Sequence, residues 1–585
     1  NDRSLRFVVP PQCPRSVYVC RVQSGAGETE LLLNAPQPWW FQADNGQQAS
    51  PGGWLRVFGR CLALEGAKAQ LELRARDATV KLPIKSADLW SLSAGVPKDL
   101  KPGTYELWAY NGCGGQRAWA SAGQVTVAPV ASFWPEKAFS ILDFGAVPDD
   151  ERDDSEAFSK ALKALADNGG GVLRFPAGRF RLHGSFALPP RVLLRGNGMD
   201  STYLAWADTD EPTDALLTSG GELGLEDLGL YAFNYRTGLR VSAKAPGAAK
   251  NVRVQRVRVR FAPLTIRKLT PEIEMKRRGE LAQSSVFSIE ADNVQLCDCD
   301  LMFPLNVGFF VGGNDTLVAH NTVFAQGGWC PVGSGRRKIV ENNDFVGVTT
   351  GITRGMEVYF ASNRVSHTYA GDREGFTTDG GGGGPGELQI DGIEGATVTF
   401  HSKGARGEPP GVTAAVRILD GPGAGQFRRV VSMDAHKLVM DRPWDISPEK
   451  DSVVCAGNFM GRFLFVGNAF SDTGVAVQLY TGALDCVVVG NRSIRAGGFR
   501  GWGQQDGPGP APCWYVQFLD NEIVEGYGVE GRELNGGSSS IHLVGAWGSE
   551  TYHGPTVRGA VIRGNRLDNH ACVLLRAGLR DVLVE

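Results

Sequence analysis

Seven asparagines recur in one local setting, and their spacing restricts the fold more than any other feature of the chain. Each follows a strand-like run and precedes a short apolar one: Asn321 in VAHNTV, Asn343 in VENNDF, Asn363 in FASNRV, Asn468 in FVGNAF, Asn491 in VVGNRS, Asn521 in FLDNEI and Asn565 in IRGNRL. Asp300 in CDCDLM is read as holding the same place one unit earlier. The steps are 21, 22 and 20 residues, then 105, then 23, 30 and 44. A repeat of about 20–25 residues built of strands and turns predicts a parallel β-helix. Asparagines stacked at one turn can hydrogen-bond along the stack, which explains a polar residue recurring among apolar ones and makes these residues structural. The 77 glycines of the 585-residue chain, about twice the usual share of roughly 7%, fit many tight turns. The step of 105 implies an insertion. GELQIDGIEGATVTF, AAVRILDGPGAGQFRRVV and HKLVMDRPW read as a small β-subdomain over 387–456.

Upstream of the repeat the pattern changes twice. Residues 1–134 show short alternating runs such as RSVYVCRV, GWLRVFGRCLAL, AQLELRAR and GTYELWAYNG, separated by turn residues. That pattern indicates an antiparallel β-sandwich of Ig-like type. Then Asp153 reads as a helix N-cap with Glu156 three residues on, and Ala157, Phe158, Ala161, Leu162 and Leu165 recur at helical spacing. One amphipathic helix before a long run of strands suits a cap on the open end of a solenoid. EIEMKRRGEL, at 272–281, reads as a loop at a groove edge. The expected fold is therefore all-β: an Ig-like sandwich at 1–134, and a helix-capped parallel β-helix at 138–585 carrying the inserted subdomain.

Charge and composition exclude some partners. Lys plus Arg is 60 and Asp plus Glu is 63, a formal charge of -3, which argues against a nucleic-acid binder held by phosphate contacts. No apolar run reaches the ~18 residues of a membrane span. The start NDRSLRF suits a mature, exported chain, so a secreted or periplasmic location is expected. The eight histidines are scattered and no CxxC or HExxH occurs, so no metal site is expected. Cys13 with Cys20, or Cys61 with Cys113, could pair in an oxidising compartment. Oligomeric state is left open.

The stretch DFGAVPDDERDDSEAFSKALKALADNGGGVLRFPAGRFRL resembles the opening of the pectin-lyase-like superfamily of right-handed β-helices. Asp143 to Ala146, Asp153, Asp154, Gly169 to Gly171 and Pro176 to Gly178 match its usual form. With the repeats, the resemblance covers residues 138–585. It implies a right-handed coil and a carbohydrate substrate, since members include polygalacturonases, pectate and alginate lyases, uronan epimerases and phage tailspikes. It does not fix the reaction. The polygalacturonase order Asn-Thr-Asp, Asp-Asp, Gly-His-Gly, Arg-Ile-Lys is not found here.

The repeat asparagines also serve as phase markers. Trp329 lies 8 after Asn321, Arg354 lies 11 after Asn343, Asp372 lies 9 after Asn363 and Tyr480 lies 12 after Asn468. Arg500 and Trp502 lie 9 and 11 after Asn491. Coils rise about 4.8 Å each, so equal phase predicts one strip of aromatic, cationic and acidic groups. The Gly-rich stretch DREGFTTDGGGGG supplies Asp372, Glu374 and Asp379, with Arg373 beside them. Read as an exposed turn, it offers two carboxyl groups for glycosidic hydrolysis, with Asp372 and Asp379 favoured and Glu374 the third candidate. Trp329, Arg354, Arg373, Tyr480, Arg500 and Trp502 would bind a poly- or oligosaccharide. Hydrolysis needs no cofactor. A lyase or epimerase acting on uronates is the alternative, with Arg354 or Arg373 as base and Ca²⁺ held by the acidic trio. A non-catalytic glycan-binding or tailspike-like protein is a further one. Arg336, Arg337 and Lys338 form a basic run that could hold a uronate, His367 reads as a wall residue, and Asp506 as a carboxylate in another exposed turn.

Overall fold

The computed structural model describes residues 7–585 apart from 26, 130–132, 244–246, 263–269, 282–284, 304–307, 369–373, 380–385, 403–413, 459, 481, 507–508, 527–538, 546–551, 553 and 569. The chain divides into two compact units, Asn1–Ala131 and Ser132–Glu585.

In the first unit two sheets face each other, antiparallel except where Gln48–Ala49 runs parallel to Trp119–Val127. One joins Gln37–Ala43, Trp54–Arg60, Ser91–Gly95 and Ile84–Ala87; the other joins Gln48–Ala49, Trp119–Val127, Gly103–Tyr110, Gln70–Ala75 and Ala78–Leu82. Strand alternation sends Phe41, Leu55, Val57 and Leu92 from one sheet against Leu71, Leu73, Leu107 and Val125 from the other. A separate hairpin pairs Tyr18–Ser24 with Gly27–Leu33. Cys13, Cys20, Cys61 and Cys113 are free thiols, so neither expected pairing is formed.

The second unit is a parallel β-helix. Its first ladder carries the strand before each repeat asparagine, as in Thr316–Ala319, Phe463–Val466 and Val487–Val489. The second ladder carries the strand after it, as in Arg364–Ser366, Ala469–Ser471 and Arg492–Ile494. The third ladder runs through the ends of Thr322–Pro331 and Asp344–Thr353 to Glu374–Asp379, Val475–Tyr480, Gly498–Trp502, Ser540–Val544 and Cys572–Leu575.

The residue before each repeat asparagine is left-handed: His320, Asn342, Ser362, Gly467, Gly490, Asp520 and Gly564 all have φ between 51 and 67°. That one residue turns the chain from first ladder to second, and its cost explains why Gly, Asn and Asp dominate there. The asparagine then stacks. Nδ2 of Asn321, Asn343, Asn363, Asn468, Asn491 and Asn521 each donates to Oδ1 of the next, at 2.8 to 3.1 Å. The bond from Asn363 to Asn468 spans the step of 105. Upstream, the backbone N–H that meets Asn321 Oδ1 belongs to Cys299, not Asp300. Asp300 sits one place further on, where it binds Arg258 and Arg260.

Helix Ser155–Asp167 closes the open end, burying Ala157, Phe158, Ala161, Leu162 and Leu165. It starts one residue later than the spacing suggests. Asp153 Oδ1 accepts from the Ser155 N–H, while Asp154 is buried and ties Val147 N to Arg181 N. A second helix, Pro271–Leu281, occupies the segment read above as a loop. Thr270 caps it, accepting the Ile273 N–H on its side chain, and Pro271 occupies the first position, where its missing N–H costs nothing.

The insertion is a closed six-stranded barrel from Gly386–Glu394 to Val453–Asn458. Its core holds Leu388, Phe400, Val416, Ile418 and Val454. Ala415, Leu419 and Cys455, on its outside, pack against Met356, Leu484 and Trp514 of the coil.

Candidate functional site

The described part of the acidic stretch, residues 374–379, is not an exposed turn. Glu374–Asp379 forms a strand of the third ladder, because Phe376 fills the coil interior, 4.9 Å from the Phe360 ring and 4.8 Å from that of Phe465. Burial of one aromatic ring stabilises by several kcal/mol (roughly 1.5–3 for the transfer alone) and outweighs the weak strand propensity of the neighbours.

Phe376, Val477, Phe499 and Ile541 occupy one inward row. The next row therefore faces out, and register makes lateral neighbours of Thr377, Gln478, Arg500 and His542. Hydrogen bonds join the first three of these side chains. Gln478 Nε2 donates to Glu374 Oε1 at 3.0 Å, and Arg500 donates to Gln478 Oε1 at 3.2 Å. All are buried, with Arg500 at 3% and His542 at 2% exposure. His542 has no hydrogen-bond partner at either ring nitrogen among the described residues. Burial first, then the Arg500 and Arg576 charges, push its pKa down to about 4, so the imidazole is neutral at physiological pH. A coil needs no amide, guanidinium and imidazole in a row on its outer face; apolar or small residues would pack there at lower desolvation cost.

Two positions along, Asp379 pairs in register with Thr353, and Tyr480 with Trp502. The Thr378 hydroxyl donates to the Tyr480 carbonyl and accepts from its N–H, both at 2.7 Å, locking these strands together. The Tyr480 and Trp502 rings meet edge to face at 5.4 Å, and the Arg500 guanidinium lies 5.4 Å from the Trp502 ring centre. The site thus has a polar row and an aromatic row side by side.

Of the residues singled out from sequence, Glu374, Tyr480, Arg500 and Trp502 come together here. Asp379 and Trp329 lie on the same ladder by backbone register, Trp329 opposite Thr349. Arg354 is exposed in the turn just beyond Thr353, with φ 54°. Asp372, Arg373 and the glycines 380–384 fall outside the described residues. The basic run is committed elsewhere: Arg336 grips Glu357 with both nitrogens, Arg337 grips Asp315, and Lys338 is buried inside the coil. His367 lies at the corner beyond the second ladder, 4.0 Å from Asp472. Asp506 ends one strand of a hairpin, Gln504–Asp506 with Gly509–Ala511. Sequence reasoning missed Gln478, which lies 10 after Asn468 and was within reach of the phase argument, and His542, whose coil is lengthened before it. No group of three or more His, Cys, Asp or Glu is placed to hold a metal ion among the described residues. No helix among them is long and apolar enough to cross a membrane.

Residues 138–353 match the family described as rhamnogalacturonase A/epimerase, pectate lyase-like. The chain is similar to mannuronan C5-epimerase AlgE6 of Azotobacter vinelandii, 30% identical over 142 residues, which is 21% of this chain and 16% of that protein. It is 28% identical to AlgE3 of the same organism over 142 residues, 21% of this chain and 8% of that one. The matched stretch is thus a small part of these relatives. Among solved structures, a family 28 exopolygalacturonase of Yersinia enterocolitica has a TM-score of 0.45 at 9% identity, covering 94% of this chain and 99% of its own. The A-module of mannuronan C-5 epimerase AlgE4 of Azotobacter vinelandii has 0.40 at 14%, covering 77% and 97%. Neither structural likeness bears on the reaction.

Proposed function

The coil unit belongs to the pectin-lyase-like superfamily of right-handed parallel β-helix proteins, and from that premise we propose that the outer face of its third ladder binds a polysaccharide and hydrolyses a glycosidic bond in it. The observation that carries this is Glu374, a carboxylate buried on the outer face at 8% exposure and held by Gln478, which Arg500 holds in turn. The partner carboxylate is Asp379. Gln478, which Glu374 reaches, is the lateral neighbour of Thr377, and Asp379 is two residues further along the strand. An inverting pair needs its carboxyl groups roughly 6.5–9.5 Å apart, with room for a water between them. Tyr480 and Trp502 offer apolar ring surface to a sugar, and Arg500 offers a cation to an acidic one. A polymer substrate implies an encounter outside the cytoplasm, which cell fractionation tests.

The deciding experiment incubates the protein with polyuronates and with neutral polysaccharides and follows new reducing ends. Glu374→Gln should lower turnover by about 10²–10⁴-fold, and NMR of the first-formed product should show the inverted anomer. Reducing ends appearing at an unchanged rate in Glu374→Gln would sink this reading.

A second reading is favoured by His542 and Arg500. A neutral imidazole can take the C5 proton of a uronate while the guanidinium balances its carboxylate; the carbanion then either expels the C4 oxygen, leaving a C4–C5 double bond, or takes a proton on the opposite face to give the epimer, and the matched relatives are named as C5-epimerases. An ultraviolet-absorbing unsaturated product, or solvent deuterium entering at C5 without chain shortening, selects this route over hydrolysis. Ca²⁺ held by the acidic trio belongs to this route as well; of the trio only the Glu374 side chain is described, and its Oε1 accepts from the Gln478 amide.

A further inference from the structure

The solvent face of the larger sheet in the first unit carries a row of aromatic residues that the sandwich core does not use. Leu107 and Ala109 point into the core, so Glu106, Trp108 and Tyr110 of the same strand face out. The outward neighbours in register are Glu72 beside Trp108, and Gln70 and Trp119 on either side of Tyr110. Arg74 is clamped between two indoles, 4.6 Å from the Trp108 ring and 4.5 Å from that of Trp119. Tyr110 stacks on the other side of Trp119 at 5.0 Å and 26°. The stack runs Trp108, Arg74, Trp119, Tyr110, and Glu72 and Glu106 fix it by bonding Arg74 and the Trp108 indole N–H. Trp108, Tyr110 and Trp119 are half-buried and keep part of their ring surface at the solvent, a partly exposed aromatic row that can serve as a binding face.

At the Tyr110 end the stack opens into a groove of about 740 Å³ lined by Tyr110, Gln70, Lys68, Lys81, Pro83 and Ile84 among others; Lys68 is ion-paired to Glu65 at 2.8 Å, and Lys81 lies opposite Glu72 in register, so a uronate carboxylate would take over from these partners. That volume is in the ordinary range for a small-ligand site (about 300–1,000 Å³). A planar ring, an amide and two ammonium groups, held on a rigid sheet, suit a pyranose that presents an apolar face and a carboxylate.

We propose that this face of the first unit is a binding site for an acidic polysaccharide, separate from the third-ladder site of the coil. Sugar rings stack on Tyr110, Gln70 bonds hydroxyls, and Lys68 and Lys81 meet uronate carboxylates. The inference does not rest on the reaction assigned to the coil. The whole chain, carrying Glu374→Gln to suppress turnover, is run on native gels containing polygalacturonate, alginate or neutral dextran. Retardation is expected in the two polyuronate gels, weakening as salt rises, and absent in dextran. Lys81→Glu and Tyr110→Ala should each weaken the apparent affinity for the polyuronates by about tenfold, at unchanged circular dichroism. In the Glu374 background-free protein, Lys81→Glu should leave turnover of a short oligosaccharide as it was. Unchanged retardation in both variants, or equal retardation in dextran, overturns the proposal. Retardation that Lys81→Glu and Tyr110→Ala weaken, in a chain that shows no turnover on any polymer with Glu374 intact, would keep this site and remove the catalytic reading.

Discussion

Lys338 offers a test in which sign and size both follow from the structure. Its side chain occupies an inward position of the first ladder, between Thr316 and Val358, and is fully buried. Its ammonium donates to the Gly313 carbonyl at 2.7 Å. Burial lowers its pKa from 10.5 to about 7, against the opposing pull of Asp292 and Asp315. A lysine with a depressed folded pKa binds its proton more readily in the unfolded chain. Stability is therefore complete above the unfolded value of 10.5, falls as pH drops toward 7, and is flat below that. The shift of about 3.5 units, at about 1.36 kcal/mol each, places a penalty of roughly 4–5 kcal/mol on the wild type at pH 7. Lys338→Met has similar length and no charge, and leaves the Gly313 carbonyl without its donor, at about 1–3 kcal/mol. The variant should be more stable than wild type by roughly 1–4 kcal/mol at pH 7, and less stable by about 1–3 kcal/mol at pH 10.5, where most of the penalty has gone and the lost hydrogen bond remains. Urea unfolding followed by tryptophan fluorescence at the two pH values measures both. A difference with the same sign and size at both values would refute the reasoning.

Two further perturbations probe the asparagine stack and the polar row. Asn491→Ala strands the Asn468 backbone N–H and side-chain amide and the Phe465 carbonyl, and should cost roughly 3–9 kcal/mol at about 1–3 per buried group. Asn565→Ala, at the half-exposed end of the stack, should cost less than half as much by the same urea measurement. His542→Phe removes a group whose folded pKa, about 4, lies below its unfolded value of about 6.5. Wild-type stability should therefore decline between pH 6.5 and 4 relative to the variant, read as a widening gap in Tm across that window, and run parallel to it below pH 4.

The coil was legible because its signal is local and repeated: a left-handed residue, an asparagine and an apolar pair recur within a few positions of one another. The reading slipped where the stack stops obeying side-chain identity. At its upstream end only a backbone N–H is needed, and Cys299 supplies one as well as any residue, so the acidic neighbour drew the eye. The helix at Pro271–Leu281 was missed although Thr270 and Pro271 announce it, because no apolar stripe accompanies the cap. In the acidic stretch, three carboxylates and five glycines outweighed one phenylalanine on the page, whereas in the fold Phe376 decides the conformation. His542 was beyond reach for a different reason. Register across coils is set by hydrogen bonds, not by residue count, so a lengthened turn erases the phase from sequence while leaving the lateral neighbour of Arg500 in place.

The same independence of register from residue count explains where the barrel sits. The chain leaves the third ladder at Asp379, builds a closed sheet from Gly386 to Asn458, and re-enters at Met460. A closed barrel leaves no free sheet edge to compete with the coil for pairing partners. Its end strands, Gly386–Glu394 and Val453–Asn458, pair with each other, which brings exit and entry points close together. Asn363 and Asn468 can then stack as directly as any neighbours 20 residues apart. An insertion so closed on itself costs the solenoid little wherever it emerges. It emerges directly after Asp379, on the strand that pairs with Val475–Tyr480, so under the proposed function it would stand as a wall beside the sugar chain.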